Sequence, residues 1–484
     1  MNDGFRLFLL AGCWGASVTA LAAPPLPSLL AESVVSQEAF SKPVQYANGL
    51  NGLSFQQDAL LSHAGWQYAA FYNAARHVCV ARRKLPSGSW QTVELKDYTQ
   101  SQDDGHNTIS LGICAADGTI HLAFDHHDHP LRYRKSVPGL ASAPETFAWE
   151  PSRFQSIQNN LTGPAINSLT YPRFLNAPSG KMLMEFRLGS SGNGHGHVYE
   201  YDGATAKWAR IGSNSRYIQG DDNNGYVNGL DYDSTGRLHV TWCWRETSDV
   251  GSNHGLLYAY SEDDGRTWKN NASAQIGETG SRPITPATQG IEVWKIPQNS
   301  GLLNQEAQGL DPRGRVHVFL RGDSTVAGQK IPFHLHFWRD EAGKWSRINT
   351  GIRSGSPTSD RTKIAFDAQG NAYALFPGFR LASASAASEW KDWKITYTRT
   401  SSVGTMEPLF DRNRLRDEGV LSVFYQENSA TGKAPLRILD FRLGATTSLA
   451  PSVGKGSGTA GSRRLLGFLN LRDKEFAADG RILK

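Results

Sequence analysis

An all-β, single-domain, seven-bladed β-propeller is the fold that this 484-residue sequence predicts. The first observation is a turn that keeps returning. It runs Asp117-Gly118-Thr119-Ile120-His121, then Asp233 to Gly236 to His239, Asp311 to Gly314 to His317, and Asp367 to Gly370 to Tyr373, with Pro178-Ser179-Gly180 a weaker member. An apolar run lies before and after each turn, so each is a hairpin whose glycine supplies the positive φ that the turn needs. The second observation is a third run that often closes on a tryptophan, most clearly in Ser261-Glu262-Asp263-Asp264-Gly265-Arg266-Thr267-Trp268, with degenerate partners at 86–90, 202–208 and 340–345. The third is composition: 49 Gly, 13 Trp and 39% hydrophobic residues suit a turn-rich β protein with a large core.

The elements follow in chain order. Arg6, the largely apolar Leu7 to Thr19 and the small-x-small site Ala20-Leu21-Ala22 read as a secretory signal over residues 1–22, so the mature chain is expected outside the cytoplasm, extracellular or periplasmic. Cys13 leaves with that signal; Cys79, Cys114 and Cys243 are an odd set, expected as buried free thiols. The segment from Val34 to Tyr46 is expected to supply a closing strand. Repeat units then fall at 50–102, 104–162, 168–215, 224–271, 302–349, 359–400 and 406–443. Each is a small meander that cannot bury both faces alone, so the units pack radially. The propeller therefore occupies 23–443, with 444–484 a C-terminal extension that packs on it or trails from it. A net charge of +5 permits an anionic partner. No Lys/Arg run resembles a nucleic-acid arm, and no further stretch is long and apolar enough to span a membrane. A monomer without nucleic-acid or membrane partners is the expectation.

Blade register sorts the polar residues. The start of the innermost strand and the end of the next share one rim, facing the central funnel. Innermost-strand starts carry His106, Tyr171 and Tyr226; second-strand ends carry Tyr72-Asn73, His126, Arg187, Arg245 and Arg321. A lone rim arginine is ordinarily solvated and a buried histidine ordinarily structural. Several unlike groups on one rim ask for chemistry instead. Guanidinium forks hold carboxylates and sulfates, while imidazole and phenol transfer protons. No pair of rim carboxylates emerges, which argues against two-carboxylate glycoside hydrolysis. Arginine, histidine and tyrosine together suit β-elimination on an acidic sugar: arginine offsets the uronate charge, one group takes the C5 proton and a tyrosine protonates the departing O4.

With those residues named, the chain resembles the secreted seven-bladed propeller ulvan lyases, polysaccharide lyase families 24 and 25, and family 25 more closely. The residues that carry the resemblance are His106 in Asp-Gly-His-Asn, His126 in Phe-Asp-His-His, Tyr171 in Leu-Thr-Tyr-Pro-Arg-Phe, Arg187 in Glu-Phe-Arg-Leu-Gly and Tyr226 in Asn-Gly-Tyr-Val-Asn-Gly. Ser261 to Trp268 likewise matches the Asp-box of propellers with sialidase-type repeats, a structural turn. The resemblance implies cleavage of ulvan, a sulfated rhamnose–uronate polymer, by β-elimination. It implies His106 as base, Tyr171 as acid, Arg187 as neutraliser and His126 and Tyr226 as assistants, with the base and acid roles open to exchange. Arg245, Arg321 and Asn73 are added as substrate contacts, and no cofactor is required for that chemistry.

A second constellation, His195, His197, Cys243 and His254, is a candidate structural zinc set, although its spacing matches no zinc module. His129 holds the analogous position one blade earlier, which makes the histidine a repeat feature on the alternative reading. Two rival functions stay open: a sialidase-like hydrolase, for which no Arg-Ile-Pro motif or nucleophilic Tyr–Glu pair is found, and a non-catalytic propeller that grips an acidic polysaccharide.

Overall fold

A computed structural model describes residues 24–47, 49–355, 360–399, 407–427, 429 and 431–445. The expected signal at 1–22, Cys13 and nearly all of the expected extension at 444–484 lie outside the described residues. Seven antiparallel sheets form, six of them from strands close in sequence and the seventh from both ends of the chain, and together they make the seven-bladed β-propeller.

The first blade is a meander of Leu60–His63, Trp66–Tyr72, His77–Lys84 and Gln91–Thr99. The second is shorter: Ile109–Ile113, Ile120–Phe124 and Tyr133–Lys135. The third is built on Leu169–Asn176, Met182–Ser190 and Asn193–Asp202, the fourth on Asn224–Tyr232, Leu238–Arg245 and Asn253–Ser261. The fifth spans Ala307–Leu310 to Trp345–Arg353, and the sixth Lys363–Phe366 to Lys394–Thr398. The last blade joins both ends of the chain. Leu26–Ser41 pairs antiparallel with Gly432–Ala445 from Leu26↔Ala445 to Ser41↔Gly432. The closing strand thus starts before, and stops short of, the expected Val34–Tyr46. A strand needs a partner ladder, and the last strand supplies one only as far as Ser41.

The recurring turn is a hydrogen-bonded device. Asp233 Oδ1 accepts from the amides of Thr235 and Arg237, both at 2.9 Å, and its Oδ2 meets His239 Nε2 at 3.1 Å. Asp311 repeats this with Arg313, Arg315 and His317, and Asp367 with Gln369, Asn371 and the Tyr373 hydroxyl. In the second blade His121 bonds Thr119 Oγ1 at 2.6 Å and the Tyr133 hydroxyl at 2.7 Å. These imidazoles are interior and, apart from His317 Nε2, which stands 3.6 Å from Asp311 Oδ2, hydrogen-bonded at both ring nitrogens, hence architectural. The Ser261–Trp268 turn works as expected: Asp263 Oδ1 accepts the Thr267 amide at 2.8 Å, and buried Trp268 stacks on Tyr217 of the preceding blade with centroids 5.0 Å apart. Cys79, Cys114 and Cys243 are free and buried. No described helix is long and apolar enough to cross a membrane.

Candidate active site

The second, third and fourth blades deliver a compact polar group to one rim. Its foundation is the loop before Ile109. Asp104 carries one imidazole on each carboxylate oxygen: His106 Nδ1 at 2.6 Å from Oδ1 and His127 Nδ1 at 2.7 Å from Oδ2. Oδ1 also accepts the His106 amide at 2.9 Å. Burial alone would raise the Asp104 carboxyl, but its bonds to the two imidazoles and to the His106 amide hold it well below the usual carboxylate range. An ionised carboxylate only accepts, so both Nδ1 atoms carry the proton. Burial pulls the His106 imidazole down to about 4, against the pull of Asp104. His106 is therefore neutral at neutral pH, with its lone pair on Nε2. The two imidazoles stack at 3.9 Å and 15°, and Phe55 covers the other face of His106 at 4.4 Å.

Tyr171 stands on the next blade, its ring centroid 5.8 Å from that of His106. Its backbone is left-handed, φ 60°, and it precedes Pro172, at the register shift between Thr170 and Arg173. That conformation is strained for a side chain with a Cβ and clusters at functional sites. The bulge turns the phenol inward. Burial pushes the Tyr171 hydroxyl well above its ordinary value, Tyr226 adds to this, and Arg187 opposes it, so the proton stays on. Arg187 pairs with Thr170 across the strands and donates from Nη2 to Thr170 Oγ1 at 2.8 Å. Its Cζ lies 5.0 Å from the Tyr171 ring centre and 6.0 Å from that of Tyr226, and its buried Nε has no protein partner among the described residues. Tyr226, from the fourth blade, bonds Ser191 Oγ at 2.8 Å, and Arg245 lies over its ring at 5.4 Å. Burial would raise this phenol, but Arg187, Arg245 and hydrogen bonds from Ser191 and Asn224 bring it below its ordinary value.

Of the expected residues, His106, Tyr171, Arg187, Tyr226 and Arg245 come together, and three do not. His126 lies apart from the group, and its neighbour His127 stands in it. Asp125 and Asp128 both have left-handed φ, 62° and 60°, which breaks the two-residue alternation after Phe124. His127–His129 peels away to pair with Leu169 and Thr170 of the next blade. His126 is left 1% exposed, with Nε2 accepting the Arg132 amide at 2.8 Å, and it has no hydrogen bond or ring contact with His106, Tyr171 or Arg187 among the described residues. Asn73 instead bridges to Ala39 and donates to Glu94 at 2.7 Å, in the tight turn to His77. Arg321 is spent on the Gly301 carbonyl and on Ser354 Oγ.

Asp104 and His127 were missed, although Asp104 sits two residues before His106 and His127 beside His126. Arg361 was missed as well: its Cζ lies 4.6 Å over Phe55 and it pairs with Glu407 at 3.2 Å, adding positive charge that helps depress His106.

The four residues of the zinc expectation do not converge into one donor group. His254 faces Glu246 at 3.3 Å, His197 Nδ1 meets the Asn214 carbonyl at 3.1 Å, His195 Nδ1 accepts the Gly220 amide at 3.2 Å, and Cys243 packs with Tyr171 and Tyr226. Among the described residues one group of three His, Cys, Asp or Glu donors falls within 4.8 Å, and it is Asp104, His106 and His127. Near-parallel rings run their in-plane lone pairs side by side rather than toward one point, and both Nδ1 atoms already donate. The arrangement suits a hydrogen-bonded pair of bases better than a metal centre.

The profile of the BNR repeat-containing family matches residues 66–353. The chain is 27% identical over 264 residues to an ulvan lyase, long isoform, of Pseudoalteromonas sp. (strain PLSV), a match covering 45% of this chain and 26% of that one. It is 26% identical over 280 residues to an ulvan lyase, short isoform, of Alteromonas sp. (strain LOR), covering 48% of this chain and 53% of that one. The chain thus spans between about a quarter and a half of these curated relatives. In structure it resembles polysaccharide lyase Uly1, with TM-score 0.65, 18% identity and coverage of 86% and 99%. It also resembles a PL25 ulvan lyase, solved with and without -[GlcA(1-4)Rha3S]-, with TM-score 0.61, 12% identity and coverage of 86% and 96%. At these identities the structural likeness establishes the propeller.

Proposed function

Because the chain belongs to the BNR repeat-containing family, and because its rim gathers Asp104-held imidazoles, a protonated phenol and a guanidinium, we propose that it is a polysaccharide lyase that cleaves ulvan by β-elimination at the uronate. The observation that carries this reading is the bridge from Asp104 to His106 and His127 facing Tyr171 and Arg187. The ulvan lyases among its relatives supply the substrate class.

In this reading Arg187 meets the uronate carboxylate, with Tyr226 and Arg245 beside it. Neutralising that charge makes the C5 proton removable and stabilises the enolate that follows. Nε2 of His106 takes the C5 proton, and the imidazolium that forms is held by the ionised Asp104. The C5 electron pair forms the C4=C5 double bond as the C4–O4 bond breaks. The Tyr171 hydroxyl protonates O4, so the leaving chain departs as an alcohol and the new non-reducing end is an unsaturated uronate. The phenolate is then reprotonated from solvent and the His106 imidazolium gives up the C5 proton to solvent, which restores both groups. His127 shares the carboxylate with His106 and is the second candidate base.

A two-carboxylate hydrolase fits this rim poorly. Both Asp104 oxygens are engaged by imidazoles, and no other carboxylate is within hydrogen-bond reach of His106, His127, Tyr171, Arg187 or Tyr226 among the described residues. The test is incubation with ulvan and with other uronate polymers while following the ultraviolet absorbance of the unsaturated product. A rise is expected with ulvan. No rise with any uronate polymer, with binding intact, would make the propeller a non-catalytic binder; release of sialic acid from a glycan would favour the hydrolase.

A further inference from the structure

Beside the imidazole pair stands an aromatic residue that the mechanism does not use. Tyr46 is 53% exposed, a large value for an aromatic ring, whereas the His106 and His127 side chains beside it are 11% and 30% exposed. Its ring stands 5.2 Å from His106 at 74° and 6.4 Å from His127 at 89°, upright against the edge of their stack. Its backbone is left-handed, φ 65°, a conformation suited to glycine. Two ties hold the strained segment in place. Gln45 donates its amide to the Asp103 carbonyl at 2.9 Å, and Gly105 donates to the Gln45 carbonyl at 2.8 Å. Gly105 must be glycine here, because a Cβ would collide with Ala47. The loop that carries Asp104 and His106 therefore also fixes the place of Tyr46. A strained, anchored backbone that projects an apolar ring into solvent next to proton-transfer groups has no packing explanation.

We propose that Tyr46 is the stacking platform of a saccharide subsite flanking the reacting uronate on the imidazole side. This rests on the lyase reading for the identity of the polymer. A flat ring exposed at a funnel mouth complements a pyranose face from which axial C–H bonds project. The 6-deoxyhexose that alternates with the uronate in ulvan presents such a face, with few hydroxyls to desolvate. Tyr46 thus grips the sugar next to the one being cleaved and sets the polymer's register over His106. The hydroxyl is not needed; the ring is.

Tyr46→Gly removes the ring and suits the backbone. Its melting temperature should equal or exceed that of the wild type, while KM for the polymer rises about 10-fold, the size of one lost ring contact, and kcat stays within about twofold. Tyr46→Phe should keep wild-type KM. An unchanged KM in Tyr46→Gly would overturn the subsite, as would a fall in kcat at constant KM, which would make the ring a shield for the imidazoles. Calorimetric binding of ulvan to both proteins separates this proposal from the lyase reading: if the wild type forms no unsaturated product, weaker binding by Tyr46→Gly still supports the platform, and equal binding removes it.

Discussion

Replacing Asp104 tests the proposed role of the imidazole pair directly, and asparagine and alanine should differ in a way the geometry dictates. Oδ1 accepts two N–H groups, the amide and Nδ1 of His106, whereas Oδ2 accepts one, from His127. In Asp104→Asn the amide oxygen should keep the doubly bonded place, leaving its NH2 facing His127 Nδ1. His106 then keeps its tautomer but loses the carboxylate charge that steadies its imidazolium, while His127 faces a donor. It cannot swing aside cheaply, because the rings are stacked at 3.9 Å with Phe55 behind His106. In Asp104→Ala both orientation and charge are gone. General-base catalysis contributes about 10²–10⁴-fold, or about 2.7–5.5 kcal/mol of barrier. Asp104→Asn should lose about 10²-fold in kcat and Asp104→Ala about 10⁴-fold, with KM held because neither oxygen faces the substrate. The acid limb of the rate profile, set by an imidazole at about 4 that Asp104 raises, should move to lower pH in Asp104→Asn. Steady-state kinetics on ulvan across pH would show this. An alanine variant within about threefold of wild type, or a loss confined to KM, would refute the assignment.

Three further outcomes follow from the same structure. Tyr171→Phe should lose at least about 10²-fold in turnover while binding polymer normally by calorimetry; near-normal turnover would exclude Tyr171 as the acid. His127→Ala should cut kcat and His126→Ala should instead lower the melting temperature, since His126 is interior and bonded to the Arg132 amide; the reverse pattern would restore His126 to the site. Burial depresses His106 to about 4 and His121 and His197 to about 3, against an unfolded value of 6.5. Their stability contribution is therefore full above pH 6.5 and is lost as pH falls toward those folded values, by up to about 1.4 kcal/mol per unit for each. Glu306, raised by burial to about 8, works in the opposite sense over this window, but the depressed histidines outnumber it. Denaturant midpoints should rise between pH 4 and 6.5, and a flat profile would contradict the burial of these imidazoles.

The propeller was legible because its signal is periodic. Asp117, Asp233, Asp311 and Asp367 mark the same hairpin in the second, fourth, fifth and sixth blades, and Trp268 marks a blade junction. The same repeat pointed to Tyr171, Arg187 and Tyr226, which lie near the rim ends of Leu169–Asn176, Met182–Ser190 and Asn224–Tyr232, Tyr171 at a bulge. It did not separate His126 from His127. At Asp125 and Asp128 two left-handed residues swap the parity of adjacent histidines, and neither aspartate announces that from sequence. Arg321 was misplaced because a rim position says nothing about whether a carbonyl such as that of Gly301 already holds the side chain. Asp104 was overlooked because a search for paired catalytic carboxylates passes over one whose work is to hold two imidazoles.

The strand Leu26–Ser41 has a bearing on the order in which the molecule assembles. It pairs with Gly432–Ala445, so its ladder joins the two ends of the chain and is the most non-local contact in the fold. Cys79, Cys114 and Cys243 are free thiols, so among the described residues the ring depends on that ladder and on contacts such as the Arg83–Asp440 ion pair at 3.0 Å. Just beyond Ser41 the chain enters Val44–Ala47, the strap that lies on Asp103 and Gly105 and presents Tyr46. Ring closure and completion of the rim are therefore successive turns of one segment. A nascent chain lacking its final strand has nothing to dock Leu26–Ser41 against, although the Gln45–Asp103 and Gly105–Gln45 bonds already seat the strap that carries Tyr46. The rim can therefore take shape before the ring closes, and closure waits until Gly432–Ala445 has been made and folded home.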